Sequence, residues 1–324
     1  MIRSAIIPLR QLAFAWILWM SPWSLFAQAW TMPAGEAYVK LFYGEVKAGH
    51  QFTFDGRSAD FISGLPGDTY RDRSLYAYAE MGLADRLSLI LSFPYKRTFV
   101  RDHAFRFRLY SPGTASLGVR YSLDKLLGVD KNKHAVAVNI QAFVPTGYVR
   151  NYTPSSGGGQ VDVQGMVFYG KSFYPLPAYL QIGTGFRYRS SIYAFSKAIE
   201  CIPGSDIHCT RDTQPKYNDE WLFHAEIGAS PLGDFLLLQI LSLGTLSTKN
   251  PEVGFSPLNP IPTSQRYLKI GGGVAIYPFS FLNVFALSSL GFNLQYFETP
   301  VGRNTINSRD MFMGFEFRAS LFNN

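Results

Sequence analysis

Residues Met311 to Leu321 alternate without a break between apolar and polar or small side chains. One face carries methionine, phenylalanine, alanine and leucine, whereas the other includes Glu316, Arg318 and Ser320. A period of two predicts a β-strand. A strand that is apolar on one face and charged on the other is typical of a β-barrel with lipid outside and polar groups inside.

Similar segments recur along the chain, about twelve in all, with turns and longer loops alternating between them. The ninth segment, about Asp234 to Leu246, is apolar on both faces, so its facing stays open. The eleventh is expected at about Leu282 to Phe297, with a long loop before the twelfth at Met311. We predict an all-β fold, a transmembrane antiparallel up-and-down β-barrel of about twelve strands.

Composition supports a barrel over a β-sandwich or a helical membrane protein. Hydrophobic residues make up 47% of the 324 residues and aromatic residues 16%, yet the mean hydropathy is only +0.01. After the N-terminal region the sequence has no apolar run of about 18 residues, the length that a spanning helix needs. A β-sandwich also alternates, but it does not need strands of about ten residues with aromatic ends.

The N-terminus resembles a secretory signal peptide. Two arginines precede an apolar run from Leu12 to Phe26, and Ala27-Gln28-Ala29 then fits the A-x-A rule of signal peptidase. The alternative is an uncleaved anchor, but the run is short and contains Pro22. We predict a signal peptide over residues 1–29 and an outer-membrane β-barrel over residues 30–324.

The formal charge of +7 falls to +5 when Arg3 and Arg10 are removed with the signal peptide, and no Lys/Arg tract concentrates it. Nucleic-acid binding is therefore not expected. The expected partners are outer-membrane lipid, a small-molecule solute and, during biogenesis, the barrel-assembly machinery. Outer-membrane barrels often end on a lipid-facing aromatic residue, whereas here that register ends at Leu321 before Phe322-Asn323-Asn324.

Cys201 and Cys209 flank a turn-rich stretch of seven residues. In an exported chain such a close pair predicts a disulfide. The alternative is a metal site with His208, but its spacing is poor and a fourth ligand is missing. We predict the disulfide, with no metal and no cofactor.

A short hairpin carries a resemblance to known proteins. Residues Tyr78 to Leu89, followed by Phe93-Pro94-Tyr95, resemble the hairpin of outer-membrane proteins of the phenol-degradation meta-pathway transporter type. The stretch from Ala29 to Gly35 resembles the mature start of XagA-like proteins, another barrel group. The hairpin covers under a tenth of the chain, and the resemblance implies an outer-membrane barrel with a transport role.

The alternation assigns charged residues to the barrel interior, where confined groups tend to pair with one another. The alternative is a set of free charges that selects small solutes, with a slight basic surplus favouring anions. The predicted lumen-lining residues are Lys40, Glu80, Lys96, Arg120, Asp162, Arg187, Arg189, His224, Glu226, Lys269, Glu316 and Arg318.

Aromatic residues divide into two expected groups. Girdle positions at strand ends are Tyr43, Tyr95, Tyr121, Tyr169 and Trp221. Inward candidates, which would suit an aromatic substrate, are Tyr38, Phe42, Tyr76, Tyr78, Phe168 and Phe285.

The five histidines are scattered, and none belongs to a recognisable nucleophile motif, so we do not predict an enzyme. We predict an integral outer-membrane channel or transporter of a Gram-negative bacterium, for small molecules that include aromatic or anionic ones. The alternatives are a barrel enzyme that acts on lipid or lipopolysaccharide and a structural barrel whose loops bind a partner.

Overall fold

The chain forms one closed antiparallel barrel of twelve long strands. The computed structural model describes residues 28–130, 133–193, 197–202, 209, 216–282 and 284–320. Most of the predicted signal peptide and the final residues from Leu321 onward therefore lie outside the described residues. No helix in the described ranges is long and apolar enough to cross a membrane.

The twelve barrel strands are long enough to span a bilayer when tilted. They are β1 (Glu36–Phe52), β3 (Tyr70–Ala84), β4 (Leu87–Arg101), β6 (Thr114–Ser122), β7 (His134–Pro145), β9 (Asp162–Ser172), β10 (Ala178–Arg189), β12 (Glu220–Ala229), β13 (Leu236–Ser247), β14 (Arg266–Ile276), β15 (Gly291–Arg303) and β16 (Thr305–Ser320).

Shorter elements decorate the barrel. They are the strands β2 (Ser58–Asp60), β5 (Arg106–Pro112), β8 (Val149–Arg150) and β11 (Lys197–Ala198), and the helices α1 (Asp124–Leu127) and α2 (Phe285–Ser288). Strand β5 continues the sheet by pairing with the second half of β4, from Tyr95 to Arg101.

Consecutive barrel strands pair in order, and the first and last close the ring. The β1–β16 register runs from Glu36 opposite Ser320 to Phe52 opposite Thr305. Closure gives each of the twelve barrel strands a partner on both sides, as a barrel in lipid requires. The described N-terminal residues and most short turns lie at one end, called here the turn end. Most long loops lie at the other, called here the loop end.

Exposure alternates along the strands as the sequence predicts. On β16, Phe315 is 61% exposed, whereas its neighbour Glu316 is 5% exposed. The predicted girdle residues Tyr95, Tyr121 and Trp221 are likewise 45%, 45% and 50% exposed. Exposed apolar side chains therefore form much of the outer wall and charged groups such as Glu316 face the interior, which confirms the predicted fold class.

The last hairpin differs from the expectation. Instead of a long loop before Met311, β15 and β16 are joined by Asn304 alone, which adopts a φ of 52°. Asparagine tolerates this left-handed conformation, and its amide donates to the Ser264 carbonyl at 2.6 Å. The polar composition resembled a loop because this part of the hairpin extends beyond the apolar part of the outer wall.

The start of the eleventh strand also differs. Strand β15 begins at Gly291 rather than near Leu282. Phe285, expected to face inward from a strand, instead begins the four-residue helix α2. A short apolar run does not by itself distinguish a strand from a buried helical turn.

The predicted disulfide between Cys201 and Cys209 is present in the structure and is therefore confirmed. The cysteines lie in the loop between β10 and β12, with their Cα atoms 5.5 Å apart. His208, the ligand in the alternative metal reading, lies outside the described residues. Elsewhere, the described ranges contain no group of three side chains suited to bind a metal.

Candidate channel interior

At the turn end, inward side chains form three carboxylate-centred clusters. The first surrounds Glu316, which accepts hydrogen bonds from the hydroxyls of Tyr38 at 2.8 Å and Tyr277 at 2.5 Å. The Lys40 ammonium lies 3.7 Å from the same carboxylate and donates to Asn293 at 3.1 Å. Because Asn293 belongs to β15, Lys40 reaches past β16 into the interior.

The second cluster joins Glu80 to Arg120. One Arg120 nitrogen lies 2.8 Å from both Glu80 oxygens, and the side chains are only 6% and 4% exposed. The Tyr78 hydroxyl also donates to Glu80, at 3.0 Å. A buried charge without such a partner is costly, so this pair acts as one unit.

The third cluster contains His224 and Glu226 on β12. Their closest nitrogen and oxygen are 3.6 Å apart. Glu226 also accepts hydrogen bonds from Tyr179 and from Gln239, the latter at 2.8 Å. Closer to the rim, Arg318 pairs with Glu36 at 2.6 Å.

The remaining candidates form a second charged layer towards the loop end. Lys96 binds Asp72 at 2.7 Å, and Lys269 binds Asp310. Glu220 lies 3.4 Å from Arg187 and 3.3 Å from Arg189. Asp162 also pairs with Arg189, at 3.5 Å.

Between the charged layers lies a group of aromatic rings, called here the aromatic belt, formed by Phe42, Tyr76, Phe297 and Phe312. Phe42 and Tyr76 stack with their centroids 4.9 Å apart. Phe312 meets Phe42 edge to face at 6.0 Å and Phe297 at 6.2 Å. Such pairs contribute about 0.5–1.5 kcal/mol beyond burial. The Lys40 ammonium lies 5.4 Å from the centroid of the Phe42 ring. The Lys96 ammonium lies 5.7 Å from the centroid of the Tyr76 ring.

Glycines on neighbouring strands make room for these rings. A Cβ atom on Gly44 would lie 2.8 Å from Phe312 and 2.9 Å from Tyr76. On the opposite wall, a Cβ on Gly183 would lie 2.4 Å from Phe168. Phe168 is fully buried and packs with Met166 and Leu222. The middle of the interior is therefore largely apolar.

The chain preceding β1 enters the lumen at the turn end. This N-terminal segment, Gln28 to Gly35, includes two residues that are fully buried, Ala29 and Met32. The Ala29 amide donates to Gln181 at 2.7 Å, and the Met32 amide donates to Ser88 at 2.9 Å. Because these partners lie on β10 and β4, the segment crosses the lumen.

Side chains from the wall are fitted to the N-terminal segment. Arg120 donates to the Trp30 carbonyl at 3.1 Å, and the Trp30 ring meets Tyr179 edge-on at 6.2 Å. A Cβ on Gly82 would lie 1.9 Å from the Pro33 carbonyl oxygen, and one on Gly170 would lie 2.4 Å from the Trp30 ring. The wall therefore holds the segment by hydrogen bonds, ring contacts and close backbone approach.

Loops cover the loop end. Phe61, which is fully buried, packs on Tyr70 and on Phe255 of the loop between β13 and β14. In addition, the Ser155 amide donates to Asn259 at 2.8 Å, which ties two long loops together. The interior is thus narrowed at both ends.

Sequence reasoning missed several interior residues. Glu36, Asp72, Glu220 and Asp310 complete the ion pairs, yet only their basic partners were identified. Strand parity was an available signal: Asp72 has the same parity as Tyr76 and Glu80 on β3. The position of the N-terminal segment had no comparable signal, because it has no periodicity.

We compared the chain with known proteins. No family model matches it, and no curated protein matches it. Among solved structures, it is similar to an outer-membrane channel from Pseudomonas putida F1, with a TM-score of 0.64 and 10% identity over 91% of this chain and 99% of that one. The chain has the fold of an outer-membrane channel.

Two weaker similarities are to the CymD monoaromatic hydrocarbon channel and to a FadL homologue from Pseudomonas aeruginosa. Their TM-scores are 0.41 and 0.40, each with 9% identity, and they cover 90% and 89% of this chain and 90% of each structure. At these values only the P. putida match bears on the fold.

Proposed function

We propose that this protein is an integral outer-membrane channel for small hydrophobic molecules, aromatic ones included, with its turn end in the periplasm. The observation that carries the proposal is the aromatic belt inside the barrel. A water-filled porin has a polar interior. Rings in the middle of the lumen instead offer a hydrophobic solute an apolar surface between two polar layers.

The charged layers favour a neutral cargo over an anion. Each predicted lumen-lining lysine and arginine lies within 4.0 Å of a carboxylate, as in the pairs formed by Arg120 with Glu80 and Lys96 with Asp72. Paired groups attract an ion less than free ones do. We therefore prefer a hydrophobic solute to the anionic one that the basic surplus suggested.

The finer family assignment is part of this proposal. The hairpin from Tyr78 to Leu89 resembles that of the phenol-degradation meta-pathway transporter type. Its Glu80 points inward, and its Gly82 leaves room for Pro33. The XagA-like stretch from Ala29 to Gly35 is the segment that crosses the lumen. Both resemblances therefore fall on residues with interior contacts, which supports a transport role.

A closed structural barrel is the second candidate, because the N-terminal segment lies across the lumen. The two candidates differ in one outcome. A channel accelerates the entry of a hydrophobic probe across the outer membrane, whereas a closed barrel leaves the entry rate unchanged.

The test is the entry of N-phenyl-1-naphthylamine, an aromatic probe that fluoresces in membranes, into Gram-negative cells producing the protein. We expect faster entry with wild type than with empty vector. Phe312→Ser should lose most of this acceleration, because it removes a ring from the aromatic belt. The rates are normalised to folded barrel, measured by the mobility of unheated protein in gels.

The matched control is Phe315→Ser. Phe315 lies on the same strand but faces outward, with 61% of its surface exposed. Its replacement should leave the entry rate per folded barrel close to wild type. Equal losses in the two variants, or no acceleration by wild type, would contradict the proposal.

A further inference from the structure

One side of the outer wall carries a dense group of basic residues at the loop end. This basic wall lies on neighbouring strands β16, β1, β3, β4 and β5. Its members are Lys47, Arg71, Arg73, Arg97, Arg101, Arg106, Arg108 and Arg309.

Strand register brings these residues together. Lys47 lies opposite Arg309 on one side and opposite Arg71 on the other. Phe99 lies between Arg71 and Arg108, and Arg101 lies opposite Arg106. Paired residues on neighbouring strands are about 5 Å apart. The cations thus form a continuous surface rather than scattered points.

The basic wall has more positive charge than its neighbours neutralise. Four carboxylates border its eight cations, those of Glu45, Asp68, Asp102 and Glu298, which leaves a net charge of +4. Glu45 binds Lys47 at 2.7 Å and Arg73 at 2.8 Å. Within the basic wall, four arginines have no carboxylate of the described residues within 4.0 Å, namely Arg97, Arg101, Arg106 and Arg108.

Two of these arginines are held by aromatic rings. The Arg97 guanidinium lies 5.3 Å from the Phe99 ring and 5.4 Å from the Tyr110 ring. Arg108 lies 5.7 Å from Phe99. Stacking fixes an arginine while leaving its N–H groups free to donate, and these donors suit phosphate oxygens.

An apolar groove of about 520 Å³ lies directly below the basic wall. Its outward lining includes Leu41, Leu75, Phe93 and Phe315, whose side chains are 54%, 59%, 45% and 61% exposed. Leu75 is two residues from Arg73 on β3, a distance of about 7 Å along the strand. The cations of the basic wall therefore lie next to the apolar groove, in the same way that the headgroup of a lipid lies next to its acyl chains.

The other side of the barrel lacks such a dense group of cations. A second outer groove, of about 440 Å³, includes Ile182 and Phe223 in its lining. Further towards the loop end on that side, the outward residues include Tyr188, Trp221 and Leu246, which are 54%, 50% and 42% exposed, and Arg266, which lies opposite Leu246. A groove near one cation is thus not distinctive, whereas a groove below a dense group of cations is.

We propose that this side of the barrel binds a phosphorylated glycolipid of the outer leaflet, the lipid A part of lipopolysaccharide. Its phosphates would contact the basic wall, and one acyl chain would fill the groove below. Charge-assisted hydrogen bonds from arginine to phosphate are among the stronger polar contacts. The inference rests on the proposed outer-membrane location but not on the transported solute.

The test is binding of bisphosphorylated lipid A to the purified mature barrel in detergent, measured by native mass spectrometry. The wall variant is Arg71→Gln/Arg97→Gln/Arg108→Gln. We expect it to bind at least about tenfold more weakly than wild type, because three phosphate donors are lost. Lipid A without phosphates should bind the wild-type barrel more weakly than bisphosphorylated lipid A does, by a similar factor. Inorganic phosphate in excess should not displace the bound lipid.

The matched control, Lys125→Gln/Lys133→Gln/Lys171→Gln, removes the same charge from exposed positions at the turn end. It should bind lipid A as wild type does. For the groove, Leu75→Trp should weaken binding, whereas Ile182→Trp in the second groove should not. Each variant is first checked for barrel folding by gel mobility.

Equal binding by the wall variant and the turn-end control would overturn the proposal. So would equal binding of lipid A with and without phosphates, or displacement of the lipid by inorganic phosphate. The assay contains no transported solute, so a failure here is distinguishable from a failure of the proposed channel function.

Discussion

Deletion of Trp30 to Ala34 is expected to turn a nearly closed barrel into an ion-conducting pore. In the proposed mature chain the N-terminal segment begins at Trp30, whose carbonyl accepts a hydrogen bond from Arg120. Further along the segment, the Met32 amide donates to Ser88. Barrels of eight strands are filled by side chains, and those of sixteen hold an aqueous channel. A twelve-strand barrel without the segment should therefore conduct ions on the order of tenfold better in planar bilayers.

A milder variant checks that displacement, rather than a damaged barrel, causes the effect. Gly82→Val would push the segment away, because its Cβ would lie 1.9 Å from the Pro33 oxygen. Gly165→Val is the matched control, since no atom lies within 4 Å of its Cβ position. We expect higher conductance for Gly82→Val only. Unchanged conductance in both the deletion and Gly82→Val would refute a closing role for the segment.

Arg120→Met is expected to destabilise the folded barrel by about 3–5 kcal/mol, because it leaves the buried Glu80 carboxylate without its cation. Their side chains are 4% and 6% exposed, and the pair is 2.8 Å apart. The variant also loses the hydrogen bond to the Trp30 carbonyl. The measurement is reversible unfolding by guanidinium in lipid vesicles.

Two further variants test whether the unpaired buried charge causes this loss of stability. Adding Glu80→Gln to Arg120→Met should recover a large part of it, because the uncompensated charge disappears. Arg57→Met breaks the ion pair of Arg57 with Asp55, whose side chains are 84% and 34% exposed. It should leave the stability close to that of wild type. A loss of similar size for Arg57→Met and Arg120→Met would contradict burial as the cause.

The sequence predicted the features that follow from alternation. A period of two was enough for the fold class and for inward groups such as Glu316. The ninth segment, now β13, was ambiguous for a physical reason. Its inward Leu237 is buried against Ala275 and near Trp30, whereas its outward Ile240 is 64% exposed. Because the inner face of β13 at Leu237 packs in an apolar cluster that Trp30 contacts, this strand is apolar on both faces there.

The rest depends on contacts between residues far apart in the chain. Lys40 and Asn293 meet only because the barrel closes. Likewise, Met32 meets Ser88 only because the N-terminal segment turns into the lumen. No local pattern carries such information. The polar hairpin around Asn304 was missed because polar composition describes a solvated strand as well as a loop.

Tryptophan fluorescence tests the central claim most directly, namely that lipid lies outside this barrel and the N-terminal segment lies inside it. The proposed mature chain contains two tryptophans, Trp30 in the lumen and Trp221 on the outer wall. In vesicles with brominated acyl chains, Trp30→Phe, which retains Trp221, should be strongly quenched. Trp221→Phe, which retains Trp30, should keep most of its emission. Strong lipid quenching of Trp30, or none of Trp221, would contradict the account.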